Sequence, residues 1–360
     1  MNNKIFNYLF LMKIKYIFLN ILFIGIFVEI INLLEIAKII EKDNLNVFLI
    51  FYLSLLKLPS IIIEIIPFVI VISTAFIYRY LINNNELISM RNIGHSIIDV
   101  YKPIGLAILM VGILVLTIIN PISAKFEEIF NDKTSKDFSN MYSINIKNNE
   151  LWIKNIKGEN EKYFIHISNI DLENMNAENI KIILINDINN LFYSAKNGKF
   201  DGKNFILNDV IIFDVKNDNY KKNKSIILEM NFNNQDLTGS ILNYKFIPFY
   251  QYQEHLNSLK KFNLYSSEIS LYYLSEILKP FFLVIIGFTV MGYSGKFKRN
   301  ENFFKILFIS ILIGFSLFLL KETITAIAIS LSISFLITYI TIFFVPLIIG
   351  LYFIINIEMN

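Results

Sequence analysis

Residues 58–96 read LPSIIIEIIPFVIVISTAFIYRYLINNNELISMRNIGHS, and the class of the chain follows from them. An apolar run long enough to cross a bilayer core, about 20 residues, ends in a charged turn. Another apolar run opens behind that turn at Ile97. Outward from this stretch, residues 14–120 hold three long apolar runs and residues 269–357 hold three more. Between the blocks, residues 121–268 turn Asn- and Lys-rich with short alternating runs. The layout predicts an α-helical polytopic membrane protein of six transmembrane helices with an inserted all-β domain.

Composition agrees. A chain of 360 residues with 54% hydrophobic residues, mean hydropathy +0.52 and 18% charged residues lies outside the soluble range. The net charge of +3 is small and its basic residues are dispersed, which argues against nucleic acid as a partner. Cys is absent, so disulfides and thiolate metal sites are excluded. Lys4, Lys13 and Lys15 ahead of the first apolar run give the N-terminus a signal-peptide flavour. The run continues to about Ile40 with no small-x-small site after it, so an uncleaved first helix is expected.

The spans read as about 14–37, 58–81, 97–120, 271–293, 303–323 and 335–356. Lys4, Lys13 and Lys15, then Arg79, Arg91 and Lys102, then Lys296, Lys298, Arg299 and Lys305 all fall on one side of six spans. Cytoplasmic loops carry the excess of Lys and Arg. Both termini are therefore expected in the cytoplasm, and 121–268 outside it. Lys321, beside Glu322, is assigned to a short outer loop. The fourth span is cleanly apolar only from Phe281 to Tyr293, so its helix must take in Ser270–Lys279, with Glu276 and Lys279 spaced to pair. In the insert, Tyr163–Ile167, Ile180–Ile185, Phe205–Val215 and Ser225–Phe232 are rich in β-formers. Asn197-Gly198 and Asp201-Gly202 read as hairpin turns between them, which predicts a sandwich or jelly-roll-like domain.

No catalytic motif is present. There is no G-x-x-x-x-G-K-[ST] and no H-E-x-x-H; His95, His166 and His255 are scattered, and no nucleophile elbow occurs. The chain is read as no enzyme, with no metal or cofactor of its own. The segment 83–96 carries the one distinctive pattern. Leu87, Met90 and Ile93 recur at three-residue spacing, Glu86 and Arg91 lie on other faces, Gly94 ends the helix and Ser96 can cap the next. Such a segment is either a loop helix resting on lipid headgroups or a coupling helix at 84–94 that docks into an ATPase, where Glu86 meets a partner Arg or Lys. A carboxylate inside a span costs a few kcal/mol and usually faces protein or a wet cavity. Glu29, Asn32, Glu35 and Lys38 therefore form either a hydrated outer-interface set or a polar seam lining a lipid-entry gate. Lys125, Lys133 and Lys136, just past the third span, can meet lipid phosphates or be solvated surface lysines.

The run Asn85-Glu86-Leu87-Ile88-Ser89-Met90-Arg91-Asn92-Ile93-Gly94-His95-Ser96 resembles the sEL-x-x-M/L-R-x-x-G-x-S cytoplasmic loop of the lipopolysaccharide-export permeases, the LptF/LptG family. Leu58-Pro59 and Ile66-Pro67 resemble that family's prolines leading into its second span, and Asn120-Pro121 its exit from the third. Leu151-Trp152 and Tyr163–Ile167 resemble the start of its periplasmic β-jellyroll, and Leu278-Lys279-Pro280 the lead-in to its fourth span. The loop and the ending Val345–Tyr352 look more like LptG than LptF. The resemblance implies blocks 1–120 and 269–360 in the inner membrane around a periplasmic jelly-roll at 121–268. It also implies ATPase-coupling roles for Glu86, Leu87, Met90, Arg91 and Gly94. The implied partners are a paralogous permease, a cytoplasmic ABC ATPase dimer that binds ATP and Mg, a periplasmic β-jellyroll bridge protein and lipopolysaccharide. In one departure, the family often places Lys or Arg in the outer half of the first span, where this chain has Glu29, Asn32 and Glu35, with Lys38 at the end. A permease for another amphiphile, or a membrane scaffold with a periplasmic β-domain, fits the residues without the resemblance.

Overall fold

A computed structural model describes residues 3–39, 47–134, 151–157, 161–171, 174–185, 190–214, 216, 219–230, 232, 234, 237, 244–261, 266–295 and 302–358. Among them six helices are long and apolar enough to cross a membrane. The chain separates into two compact units, residues 1–127 with 267–360, and residues 128–266.

The first unit is helical. It comprises α1 (Asn3–Ile39), α2 (Val47–Asn83), the short α3 (Glu86–Asn92) and α4 (Ile97–Leu114). A π-helical turn (Val115–Ile119) runs on into α5 (Asn120–Thr134), whose far end belongs to the second unit. After the insert come α7 (Ser267–Ser294), α8 (Phe303–Ser330) and α9 (Phe335–Glu358), with α6 (Tyr252–Lys261) lying in the second unit. Each of the six long apolar helices outruns its apolar stretch, because each added residue gains a backbone hydrogen bond whether or not its side chain is apolar. At Asn120-Pro121, where the third span is expected to end, the helix itself continues through Pro121. Proline brings no N–H and its ring crowds the preceding turn. The turn before it widens to π geometry, with the Asn120 N–H donating to the Val115 carbonyl. Lys321 and Glu322 are likewise not in a loop but inside α8.

Two apolar clusters hold this unit. Ile66, Ile70, Tyr78, Ile97, Ile104 and Leu283 belong to one; Val71, Leu271, Ile286, Val290 and Ile342 belong to the other. α2 and α7 contribute to both and form the centre. α4 meets α7 closely at Gly112, where a Cβ would lie 2.8 Å from the Pro280 Cα. The Thr289 hydroxyl on α7 reaches the Pro346 carbonyl of α9 at 3.0 Å.

The second unit contains one antiparallel sheet in sequence order: β1 (Leu151–Lys157), β2 (Glu161–Asp171), β3 (Asn176–Ile185), β4 (Asn190–Asp201), β5 (Asn204–Asp214) and β6 (Asn219–Glu229). A helix, α6 (Tyr252–Lys261), precedes the return to the first unit. Gly202, at φ +60° and first in the two-residue turn between paired Asp201 and Asn204, makes the β4–β5 hairpin as expected. Asn197-Gly198 is not a turn but lies within β4, pairing with Glu178 and Ala177 on one side and with Asn208 and Leu207 on the other. Glycine is needed there for space, because a Cβ at 198 would meet Ile180 at 2.6 Å and Phe205 at 2.9 Å. Along β2 to β5 the buried positions switch parity: 163, 165 and 167 give way to 170, and 177 to 180, 182 and 184. Likewise 193 and 195 give way to 198 and 200, and 205 and 207 to 210. Asn179 and Asp209 make the switch with left-handed φ of 51° and 53°, a region Asn and Asp tolerate. The strand register is the same on both sides of the switch, so the apolar face stays continuous.

The close approach at Gly112 is testable by thermal unfolding of the purified chain in detergent. Gly112→Val should destabilise by about 1–3 kcal/mol through overpacking against Pro280. Gly25→Ala, where a Cβ has nothing within 4 Å, should be neutral or stabilising by about 0.5–1 kcal/mol.

Candidate functional site

α3 is short, and its ends are fixed by backbone chemistry. Gly94, at φ +97°, donates its N–H to the Arg91 carbonyl at 2.9 Å, and the His95 N–H reaches the Met90 carbonyl at 3.1 Å. This pair of bonds is a Schellman stop, and glycine is favoured at its left-handed residue. Asn85, itself left-handed at φ 57°, starts the helix. Ser96 and Asp99 then form a capping box on α4, the Ser96 hydroxyl accepting from the Asp99 N–H at 3.1 Å, and Lys102 pairs with Asp99 at 2.7 Å. The segment is thus a stiff corner between two spans.

The corner's side chains divide in a way that spacing alone does not show. Leu87 and Met90 are buried in the chain's own core with Leu81, Ile97 and Tyr101, so they anchor α3 rather than face outward. Ile88, Arg91, Ile93 and Gly94 are exposed. Glu86 is half-buried and accepts a hydrogen bond at Oε2 from the Tyr8 hydroxyl of α1, at 2.9 Å.

Two polar ties join α1 to α2. Lys13 is fully buried, and its ammonium donates to Ser73 Oγ at 2.7 Å, Thr74 Oγ1 at 2.8 Å and the Ile70 carbonyl at 3.4 Å. Both hydroxyls also donate to the Ile70 carbonyl, so their own protons are engaged and their lone pairs face the ammonium. By composition Lys13 is one basic residue of the N-terminal cluster, marking topology alone. The signal was present, since Leu9, Met12, Lys13 and Ile17 fall on one helical face and the other three are buried. The second tie is made by Glu29 and Asn32. The Ser54 hydroxyl donates to Glu29 Oε1, and the Asn32 amide donates to Ser54 Oγ at 2.9 Å and to the Ser54 carbonyl at 3.2 Å. Of the four residues expected to form one outer set, these two bind helix to helix, whereas Glu35 and Lys38 are exposed. Lys125 and Lys133 are exposed on α5. Lys136 and the side chain of Trp152 lie outside the described residues.

A further polar group joins α7 and α8. Lys279 pairs with Glu276 at 2.6 Å, as their spacing predicts, and Lys321 lies 3.5 Å from Glu322 with its ammonium 5.9 Å from the rings of Phe282 and Phe318. The pairs balance in charge, and the aromatic faces add cation–π attraction. Beside them an apolar groove of about 420 Å³ between α7 and α9 is lined by Leu274, Leu278, Tyr339 and Phe343, among others. Among the described residues no cluster of His, Asp and Glu is placed to hold a metal.

The family model of the lipopolysaccharide export system permease LptF/LptG matches residues 7–356, nearly the whole length, and the chain belongs to that family. The match does not separate its two named members, so the likeness to LptG stays undecided. A comparison with curated proteins finds no match.

The Lys13 tie carries an asymmetric expectation. Replacing a buried charge by an apolar side chain of similar length is often neutral or stabilising, whereas stripping its acceptors strands it. Lys13→Met should therefore keep or raise the unfolding midpoint in detergent. Ser73→Ala combined with Thr74→Val should cost about 3 kcal/mol through loss of hydrogen bonds to a charged group. Equal damage from both would refute this account of the tie.

Proposed function

We propose that this chain is one half of the membrane unit of an ABC transporter, paired with a paralogous permease, that extracts lipopolysaccharide from the inner membrane and passes it to a periplasmic bridge. Family membership supports a lipopolysaccharide-export permease. ATP hydrolysis belongs to a separate cytoplasmic ATPase dimer, which binds ATP and Mg. The basic residues Lys4, Lys15, Arg79, Arg91 and Lys102 favour the α3 end of the helical unit as cytoplasmic, with both termini there and the sheet in the periplasm. The sheet, apolar along one face, is read as part of a jelly-roll-like element that continues into a periplasmic β-protein by strand addition. Exposed Lys38, Lys125 and Lys133 remain candidates for lipid phosphates, as does Lys136.

The observation that carries the reading is α3. A stiff corner anchored inward by Leu87 and Met90 can transmit a push between two spans, and Glu86, Arg91 and Gly94 stand on or beside its outer surface. Of the three-residue series Leu87, Met90 and Ile93, exposed Ile93 is left to supply the apolar contact, joined by exposed Ile88. Glu86 supplies the charge for an Arg or Lys of the ATPase.

Losing one partner of a desolvated charge pair costs about 2–5 kcal/mol. Glu86→Lys should therefore abolish co-purification of the ATPase or lipid export while the chain stays inserted and folded. Normal export with the ATPase still bound would reject α3 as the coupling element. A reporter active only in the periplasm should be active when inserted at the Gly202-Lys203 turn and silent after Asn360; the reverse would invert the topology.

A further inference from the structure

We infer that Tyr8 is the positioning residue of the coupling corner: its hydroxyl holds Glu86 in the orientation offered to the ATPase and makes α1 a direct recipient of force applied there. The inference rests on the reading of Glu86 as the coupling carboxylate and goes beyond it, because it assigns a role to a second residue on a different helix.

The geometry is specific. Tyr8 lies near the start of α1, yet its hydroxyl reaches across to the first residue of α3, donating to Glu86 Oε2 at 2.9 Å. Tyr80, on the last turns of α2, lies against the same hydroxyl. Side chains from three helices therefore meet at the Tyr8 hydroxyl. A carboxylate offers about four lone-pair positions, and among the described residues Tyr8 is the one hydrogen-bond donor to Glu86. Room remains on Oε1 for a cation from a partner while Tyr8 keeps its bond. A glutamate with several free rotamers would lose that freedom on docking; one already held by Tyr8 has lost it beforehand.

The same bond closes a mechanical loop. Lys13, close to Tyr8 on α1, is fixed to Ser73 and Thr74, and Leu9 and Met12 between them are buried. The start of α1 is therefore gripped on both sides, by α2 through Lys13 and by α3 through Tyr8. A displacement of Glu86 is carried into α1 by one charge-assisted hydrogen bond, without passing through α2.

The test uses the full chain, co-expressed with its ATPase and reconstituted in nanodiscs, with the ATPase titrated to saturation. Tyr8→Phe keeps the ring and removes the donor. It should weaken ATPase association about 10-fold, the loss of one hydrogen bond to a charged group. In a Glu86→Gln background, where that bond is no longer charge-assisted, the same change should cost no more than about threefold. Equal losses in both backgrounds would show that Tyr8 acts as packing independent of Glu86 and would overturn the inference, as would no loss in the native background. If Glu86→Lys and Glu86→Gln both leave association unchanged, the coupling role of Glu86 itself fails and the inference falls with it. If only Tyr8→Phe is silent, the coupling role stands and the inference alone fails.

Discussion

The ammonium of Lys13 fixes where α1 lies. The most apolar stretch of α1 is only 11% buried, against 50% for α2, so side-chain packing restrains the register of that stretch weakly. A cation enclosed by two hydroxyls and a carbonyl has one good position, and leaving it costs several kcal/mol of unsatisfied charge. The register it sets is felt along the helix. The stretch of α1 from Lys13 to Asn32 is as long as the stretch of α2 from Ser54 to Ser73, so the second tie closes on the same antiparallel alignment. At about 1.5 Å per residue the two ties stand roughly 28 Å apart, close to the thickness of a bilayer's hydrocarbon core. Polar groups join these helices near the two edges of the apolar layer, and apolar side chains do so between.

The helical architecture was legible because it rests on one constraint, that backbone polar groups in lipid must be satisfied within the segment. Long apolar runs therefore had to be helices, and six of them emerged. The helix ends were less legible. Lys321 and Glu322 read as a loop because charge normally marks an exit from lipid, but pairing and the two phenylalanine rings let α8 carry them inside. The α3 corner was half legible. Gly94 and Ser96 act as their residue types predict, since capping is a local matter of a few backbone bonds. The facing of Leu87 and Met90 was not, because three-residue spacing identifies a common face without saying whether that face meets its own core or a partner.

The sheet shows a different limit. Strand reading relies on alternation, and alternation breaks wherever two successive residues point outward. β4 contains such a break at Lys196 and Asn197 and follows it with Gly198, so its dipeptide imitates a hairpin turn. What makes it a strand lies elsewhere in the sequence. Ile180 and Phe205, on the flanking strands, fill the space above Gly198, and β3 and β5 reverse parity at facing positions through Asn179 and Asp209. Only the three strands together explain the residue, and no window along one of them contains the information.

The two kinds of helix contact also differ in how they respond to load. α4 and α7 approach backbone to backbone at Gly112 and Pro280, and α7 meets α9 where Gly292 lies 2.9 Å, at its would-be Cβ, from the Gly350 carbonyl. Such contacts are made of many small dispersion terms that weaken together only if the helices separate. α1 adds to its apolar contacts at Leu9, Met12 and Ile17 a few directional hydrogen bonds at Tyr8, Lys13, Glu29 and Asn32. Directional bonds tolerate little sliding, but each can be lost or remade singly. Along its most apolar stretch α1 is the least buried of the six long helices, 11% against 22–50% for the others, and segments with little buried apolar surface are those of lower local stability. The grip at its start ties that lightly buried helix to the corner made by α3.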